Sequence, residues 1–210
     1  MKNLVALLCM TLLGNVQAQS LEESLTPILQ KLDTAQSLPS LYAASAQLDL
    51  LAAKFPKEWA SNYYASFGKA RVSFIEPNAK KKDLIIDEAD KYFDKFKVLG
   101  GDSSEKYVLA ALLANARMAV DGQNRWKKYG SIFDENLKKA KEFNENNPRI
   151  YYLKGISVFY TPKMFGGGKN NAKSFFEKAK ALFDVESKAS PLKPYWGSFA
   201  NEDYIRQCNE

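Results

Sequence analysis

The stretch YTPKMFGGGKNNAKSFFEKAKALF, residues 160–183, decides how the rest of the chain is read. Three consecutive glycines, Gly166 to Gly168, precede Lys169 and then an amphipathic run. A phosphate-cradling loop would open a catalytic helix; a glycine turn would join two structural helices. A phosphate loop needs Gly-x-x-x-x-Gly-Lys followed by Ser or Thr, placed after a strand, because the hydroxyl holds magnesium. Here Asn170 follows Lys169, and no parallel-sheet pattern precedes the glycines. The turn accounts for every residue. The glycines supply backbone freedom, Thr161-Pro162 stops the preceding helix, and Asn170 or Asn171 caps the next by accepting from its free N–H groups. An anion held at this helix start is the alternative.

Working outward, most of the chain has an apolar period near ~3.6 residues. LIIDEADKYFDKFKVL places Ile85, Ala89, Tyr92, Phe93 and Phe96 on one face, and NAKSFFEKAKALF does the same with Ala172, Phe175, Phe176, Ala179 and Phe183. RIYYLKGISVFY, residues 149–160, has β-branched and aromatic content that suits a strand. Its place in the repeat below assigns it to a helix instead.

Aligned, these runs expose a triplet in which a small or apolar residue is followed at +4 and +7 by apolar ones. The triplets are Ala44-Leu48-Leu51, Ala89-Phe93-Phe96, Phe133-Leu137-Ala140 and Ala172-Phe176-Ala179, with first members 45, 44 and 39 residues apart. Room for a further helix precedes each, so a helix–turn–helix unit repeats four times with variable turns. Pro56 falls where the first unit should end, and Pro148 near the end of the third.

On these residues the chain resembles the tetratricopeptide repeat family, which pairs an aromatic and a small residue on a first helix with Ala, Phe/Tyr and Ala on a second. The matching pairs are Trp59 and Tyr63, Tyr107 and Ala111, and Tyr151 and Gly155. The resemblance covers residues 39–190. It departs in period, since the family unit is about 34 residues, and the first unit is degenerate. Pro162, Phe165, Gly166 and Gly167 are also similar to a Pro-x-x-Phe-Gly-Gly turn in bacterial envelope repeat proteins, including the helical component associated with TRAP-type transporters. The resemblance implies an all-α fold, a right-handed superhelical stack of about four units closed by a C-terminal capping helix. The tail SPLKPYWGSFANEDYIRQCNE, with Tyr195, Trp196, Phe199 and Tyr204, supplies that cap; a partner-binding aromatic patch is the alternative.

The ends and totals fix class and compartment. MKNLVALLCMTLLGNVQAQS has a lysine, an apolar run from Leu4 to Leu13 and then Val16-Gln17-Ala18, the pattern of a signal peptide (1–18) cleaved after Ala18. That run is too short for the ~20 residues of a membrane span. The small residues that precede a lipidated cysteine are missing before Cys9, so no lipid anchor is expected. Cleavage leaves one domain, 19–210, in the periplasm or secreted, with no further apolar run of spanning length. Cys208 is then the only cysteine, so no internal disulfide forms. With no histidine, Ser-His-Asp and Cys-His catalysis and His-ligated metal sites drop out. The basic excess, 30 Lys+Arg against 24 Asp+Glu, is spread in mixed patterns, and export argues against nucleic acid. Lys80 to Lys82 is a solvated corner at a helix start, with attraction to anionic envelope lipid or polysaccharide as the alternative. Asp87, Glu88 and Asp90 read as carboxylates favoured by the dipole of a helix start.

The expected function is binding without catalysis: an exported scaffold that grips a protein or peptide of the cell envelope through its concave face, with no cofactor and no metal. By analogy with the repeat family, the groove residues are Tyr64 and Phe67 in unit two, Val108, Leu112 and Asn115 in unit three, and Tyr152, Ile156 and Phe159 in unit four, with Arg117 nearby. Tyrosine and arginine are good anchors, and asparagine can bond a peptide backbone. For each of these the core is the competing position. The alternative function is a small-solute-binding accessory of an envelope transport system, which needs an enclosed, aromatic-lined cavity. A glycosidase using two carboxylates is a third class. Oligomeric state is left open.

Overall fold

The computed structural model describes residues 20–35, 37–186 and 190–210. The expected signal peptide and cleavage site, and Cys9, lie outside the described residues. Among the described residues there are nine α-helices and no strand: α1 (Leu21–Thr34), α2 (Leu38–Lys54), α3 (Trp59–Ile75), α4 (Ala79–Leu99), α5 (Ser103–Val120), α6 (Gly122–Phe143), α7 (Pro148–Tyr160), α8 (Lys169–Val185) and α9 (Ser198–Asn209). Residues 149–160 are helical, as the repeat required.

Local chemistry sets the boundaries. Ser20, Ser37, Asn78, Asp102, Asp121 and Asn147 each accept a backbone N–H at the start of the helix that follows, satisfying donors that the first turn leaves free. Pro148 opens α7, where its missing N–H costs nothing.

Four antiparallel hairpins, α1–α2, α3–α4, α5–α6 and α7–α8, stack in chain order, and α9 packs on α8 as the cap. The unit that looked degenerate has its missing first helix in α1, whose Leu25, Ile28, Leu29 and Leu32 are buried. First helices pack on first helices, α3 on α5 and α5 on α7, while α2, α4 and α6 each pack on the first helix of the next hairpin. The first helices therefore line the inner side of the stack. Of the twelve triplet residues, only Phe93 is not fully buried. Each triplet faces the partner helix because +4 and +7 fall on one stripe.

The glycine turn is structural. Gly166 and Gly168 have φ of 82° and 95°, and a Cβ on Gly167 would sit 2.0 Å from the Thr161 carbonyl oxygen. The N–H groups of Gly166, Gly167 and Gly168 donate to the carbonyls of Lys163, Pro162 and Val158. The donors a phosphate would need are thus spent inside the turn. One expectation is corrected: neither Asn170 nor Asn171 is the cap. The helix begins one residue early, at Lys169 with Gly168 before it, and the Asn171 amide turns back to donate to the Gly166 and Gly167 carbonyls. The dipole account of Asp87, Glu88 and Asp90 is corrected too. Since α4 begins at Ala79, these carboxylates lie beyond its first turn and pair with Arg117 and Lys69 instead.

Candidate ligand-binding groove

One end of the inner face is occupied by the chain itself. Residues 190–197 cross it between α8 and α9, and Trp196 is buried there. Its ring stacks on Phe67 of α3 at 4.6 Å and meets Tyr152 of α7 edge-on at 6.3 Å. Its indole N–H donates to the Tyr63 hydroxyl at 2.7 Å, and that hydroxyl donates to Glu105 at 2.6 Å. The Tyr64 hydroxyl donates to the Lys193 carbonyl at 3.3 Å. The cleft between this segment, Leu29, Asp33, Tyr64 and Phe67 holds about 10 Å³, at the limit for one water. This end of the inner face is filled.

A buried charge network locks the segment in place. Glu105 receives Arg149 Nε at 2.6 Å, Asn147 Nδ2 at 2.6 Å and the Tyr63 hydroxyl. The Arg149 guanidinium also donates to Glu186 and, at 3.4 Å, to the Trp196 carbonyl. Burial works against the Arg149 charge, but the two glutamates outweigh it and push the group further toward its charged form. The network ties α3, α5 and α7 to the end of α8 and to the 190–197 segment. Sequence inspection missed it, because a Glu, an Arg and a Glu far apart in the chain carry no local pattern.

The other half of the inner face holds what a ligand can use. Tyr152, at the border with the filled end under Trp196, has Arg71, Tyr160, Asp203 and Asp33 as its ionisable neighbours. Burial pushes the Tyr152 hydroxyl up to about 12; Arg71 pulls against it, while Tyr160, Asp203 and Asp33 add to the rise. Arg71 is half-buried and makes no ion pair or hydrogen bond among the described residues. A half-buried guanidinium with no ion-pair partner among the described residues keeps its donors available to an anion. Aromatic rings wall this half. Tyr204 of α9 stacks on Phe176 at 4.9 Å, lies 5.2 Å from Phe159, and shares a hydroxyl contact with Tyr160 at 3.3 Å. Tyr160 of α7 and Phe199 of α9 are both 69% exposed, so two large aromatic side chains face solvent.

The expected groove residues divide four ways. Tyr64, Phe67 and Tyr152 lie on the inner face beneath the chain's own 190–197 segment. Val108 and Leu112 of α5 are buried in the core cluster. Asn115, Ile156 and Phe159 are half-buried, and the Asn115 amide has no hydrogen-bond partner among the described residues. Arg117 is drawn to the outer helix α4, where Asp87 and Asp90 lie at 2.5 and 2.7 Å and Asp83 at 3.3 Å. Burial works against its charge, and these aspartates more than offset that. Sequence reasoning passed over Arg71, one turn beyond Phe67, because nothing local shows that an arginine will lack an ion-pair partner. Cys208 is half-buried, and burial pushes its thiol up, away from the reactive thiolate.

Among the described residues, no helix is long and apolar enough to cross a membrane. No family model and no curated protein matches the chain. Among solved structures it is similar to the HusA haemophore from Porphyromonas gingivalis, at 30% sequence identity and a TM-score of 0.78, over 91% of this chain and 94% of that one.

Proposed function

This chain belongs to the family of the HusA haemophore, and from that premise we propose that it is an exported, non-enzymatic binding protein that captures haem or a related tetrapyrrole. The observation that carries the proposal is a likeness in sequence and fold across nearly the whole length of both chains. The ligand's chemistry suits the open half of the inner face. A tetrapyrrole is a flat apolar disc with carboxylates on one edge. Tyr160, Phe159, Tyr204 and Phe199 offer ring faces, with stacking worth about 0.5–1.5 kcal/mol per pair. Arg71 offers a planar fork of donors for a carboxylate. The chain has no histidine, so the ring and its carboxylates, rather than an imidazole on iron, carry the affinity.

Titration of the purified protein with haemin, followed through the haem absorption band, tests this. Saturable binding at one site is expected, with metal-free protoporphyrin competing for it. Haemin that stays spectroscopically free at micromolar protein would overturn the proposal. A second ligand class, a protein or peptide of the cell envelope on the same face, is favoured by the unengaged Asn115 amide, which suits a peptide backbone.

A further inference from the structure

The turns within the four hairpins all fall on one edge of the stack, because successive hairpins run antiparallel and stack in order. An ion pair fixes two of them side by side: Arg125 in the first turns of α6 bonds Asp83 in the first turns of α4 at 2.7 Å. This edge carries exposed apolar side chains. Leu84 on α4 is 64% exposed and Trp126 on α6 is 56% exposed. In the α7–α8 turn, Met164 and Phe165 are 83% and 71% exposed.

The same edge is basic. Lys80, Lys81, Lys127, Lys128 and Lys163 are exposed and form no ion pair among the described residues. Three of its carboxylates are engaged within the fold. Asp83 is held by Arg117 and Arg125, Glu76 accepts from Asn78 and the Tyr42 hydroxyl, and Asp121 accepts from Asn124. The opposite edge also exposes apolar side chains, Leu50, Val98, Phe143 and Val185, but its charge is mixed. Lys54, Lys57 and Lys141 are interleaved with Glu58, Glu142 and Glu145, and Lys97 and Lys139 are paired with Asp94 and Glu135.

We propose that this edge docks the protein on an anionic lipid surface, with Trp126, Leu84 and the Met164-Phe165 tip entering the headgroup layer and the lysines facing the lipid charge. A lipid surface fits better than an acidic protein for two reasons. The apolar groups stand on separate turns along an edge instead of lining a pocket, which suits a soft, flat partner. The exposed free cations of these turns are lysines on flexible stems, whereas Arg117 and Arg125 are used internally and Arg71 is half-buried toward the inner face; point charges without a fixed fork favour headgroups of variable position. Tryptophan at a membrane interface keeps its N–H in the wet layer and its ring in the apolar one. The proposal stands independently of the haem ligand.

The test uses the whole protein with vesicles of phosphatidylcholine alone and of phosphatidylcholine mixed with phosphatidylglycerol. Co-sedimentation with the mixed vesicles only is expected, weakening as salt rises. Trp126 is the most exposed of the three tryptophans, so its emission should shift to the blue and be quenched by brominated lipid. Replacing Lys80, Lys81, Lys127 and Lys128 by Glu should lower partitioning at least about tenfold. Replacing Lys54, Lys57 and Lys141 by Glu on the other edge should not. Haemin titration and a thermal melt of each variant confirm that fold and groove are intact. Equal sedimentation with both vesicle types, no emission shift, or equal loss from the two edges would each overturn the proposal.

Discussion

Arg149 Nε lies 2.6 Å from Glu105 Oε1, with both side chains almost wholly removed from water. Removing one member of such a pair leaves the other charged and buried, which costs about 3–5 kcal/mol. Arg149→Met should therefore lower the melting temperature by roughly 6 °C or more. Arg149→Lys should recover only part of it, since an ammonium cannot span Glu105, Glu186 and the Trp196 carbonyl with one planar fork. A melt of the Met variant that superimposes on the parent would mean the network is dispensable.

Trp196→Ala removes the stack on Phe67 and the donor to Tyr63 together. Loss of a buried Trp side chain costs about 3–5 kcal/mol where the site cannot collapse. Here the 190–197 segment is also freed from the inner face, so the cost should be local. Hydrogen exchange should quicken in residues 190–197 and around Tyr64 more than in α5 and α6. Uniform quickening across all hairpins would show instead that the segment is part of one cooperative unit.

Gly155 sets how closely α7 and α8 approach, since a Cβ there would lie 2.6 Å from the Phe176 ring. Gly155→Ala overpacks this contact and should cost about 1–3 kcal/mol. Phe176→Leu added to it should recover part of the loss. If the double variant is less stable than the sum of the two singles, the clash is not the cause.

The buried tyrosines give an alkaline limit. Burial raises the Tyr152 hydroxyl to about 12 and lifts those of Tyr63 and Tyr64 well above their ordinary range. A raised value means that the folded state holds its proton where the unfolded state has lost it. Their contribution to stability is therefore intact below about pH 10, the unfolded value, and is lost as pH climbs from there toward 12. Denaturant midpoints should fall over that range, while tyrosinate absorbance shows the buried hydroxyls ionising after the exposed ones. Midpoints that stay level to pH 12 would contradict this.

For the groove, Arg71→Ala should weaken haemin binding about tenfold, the loss of one charge-assisted contact of about 1.5–3 kcal/mol softened by water. The melting temperature should change little, because Arg71 makes no ion pair or hydrogen bond among the described residues. Unchanged affinity in a folded Arg71→Ala protein would place the ligand elsewhere.

How much could be read in advance differs by residue. The triplets in α2, α4, α6 and α8 announced themselves, because a helix repeats its buried stripe at +4 and +7 whatever it packs against. Gly166 to Gly168 declared a turn for the same local reason. α1 escaped notice because its leucines were not seen as half of a hairpin. Tyr64 and Phe67 were correctly placed on first helices, yet sequence could not show that Trp196, more than a hundred residues later, would fold over them. Arg117 was named because it stands near the inner face in sequence, but three aspartates of α4 hold it elsewhere.

The amino-acid sequence by itself determined the elements: where helices start and stop, which stripe each one buries, and that they alternate in pairs. These follow from interactions within a few residues, which local spacing records. Tertiary structure alone decided which inner-face residues are covered, which arginine has no ion-pair partner among the described residues, and which lysines share an edge. Those depend on contacts between segments far apart in the chain, and no local pattern encodes how such segments meet.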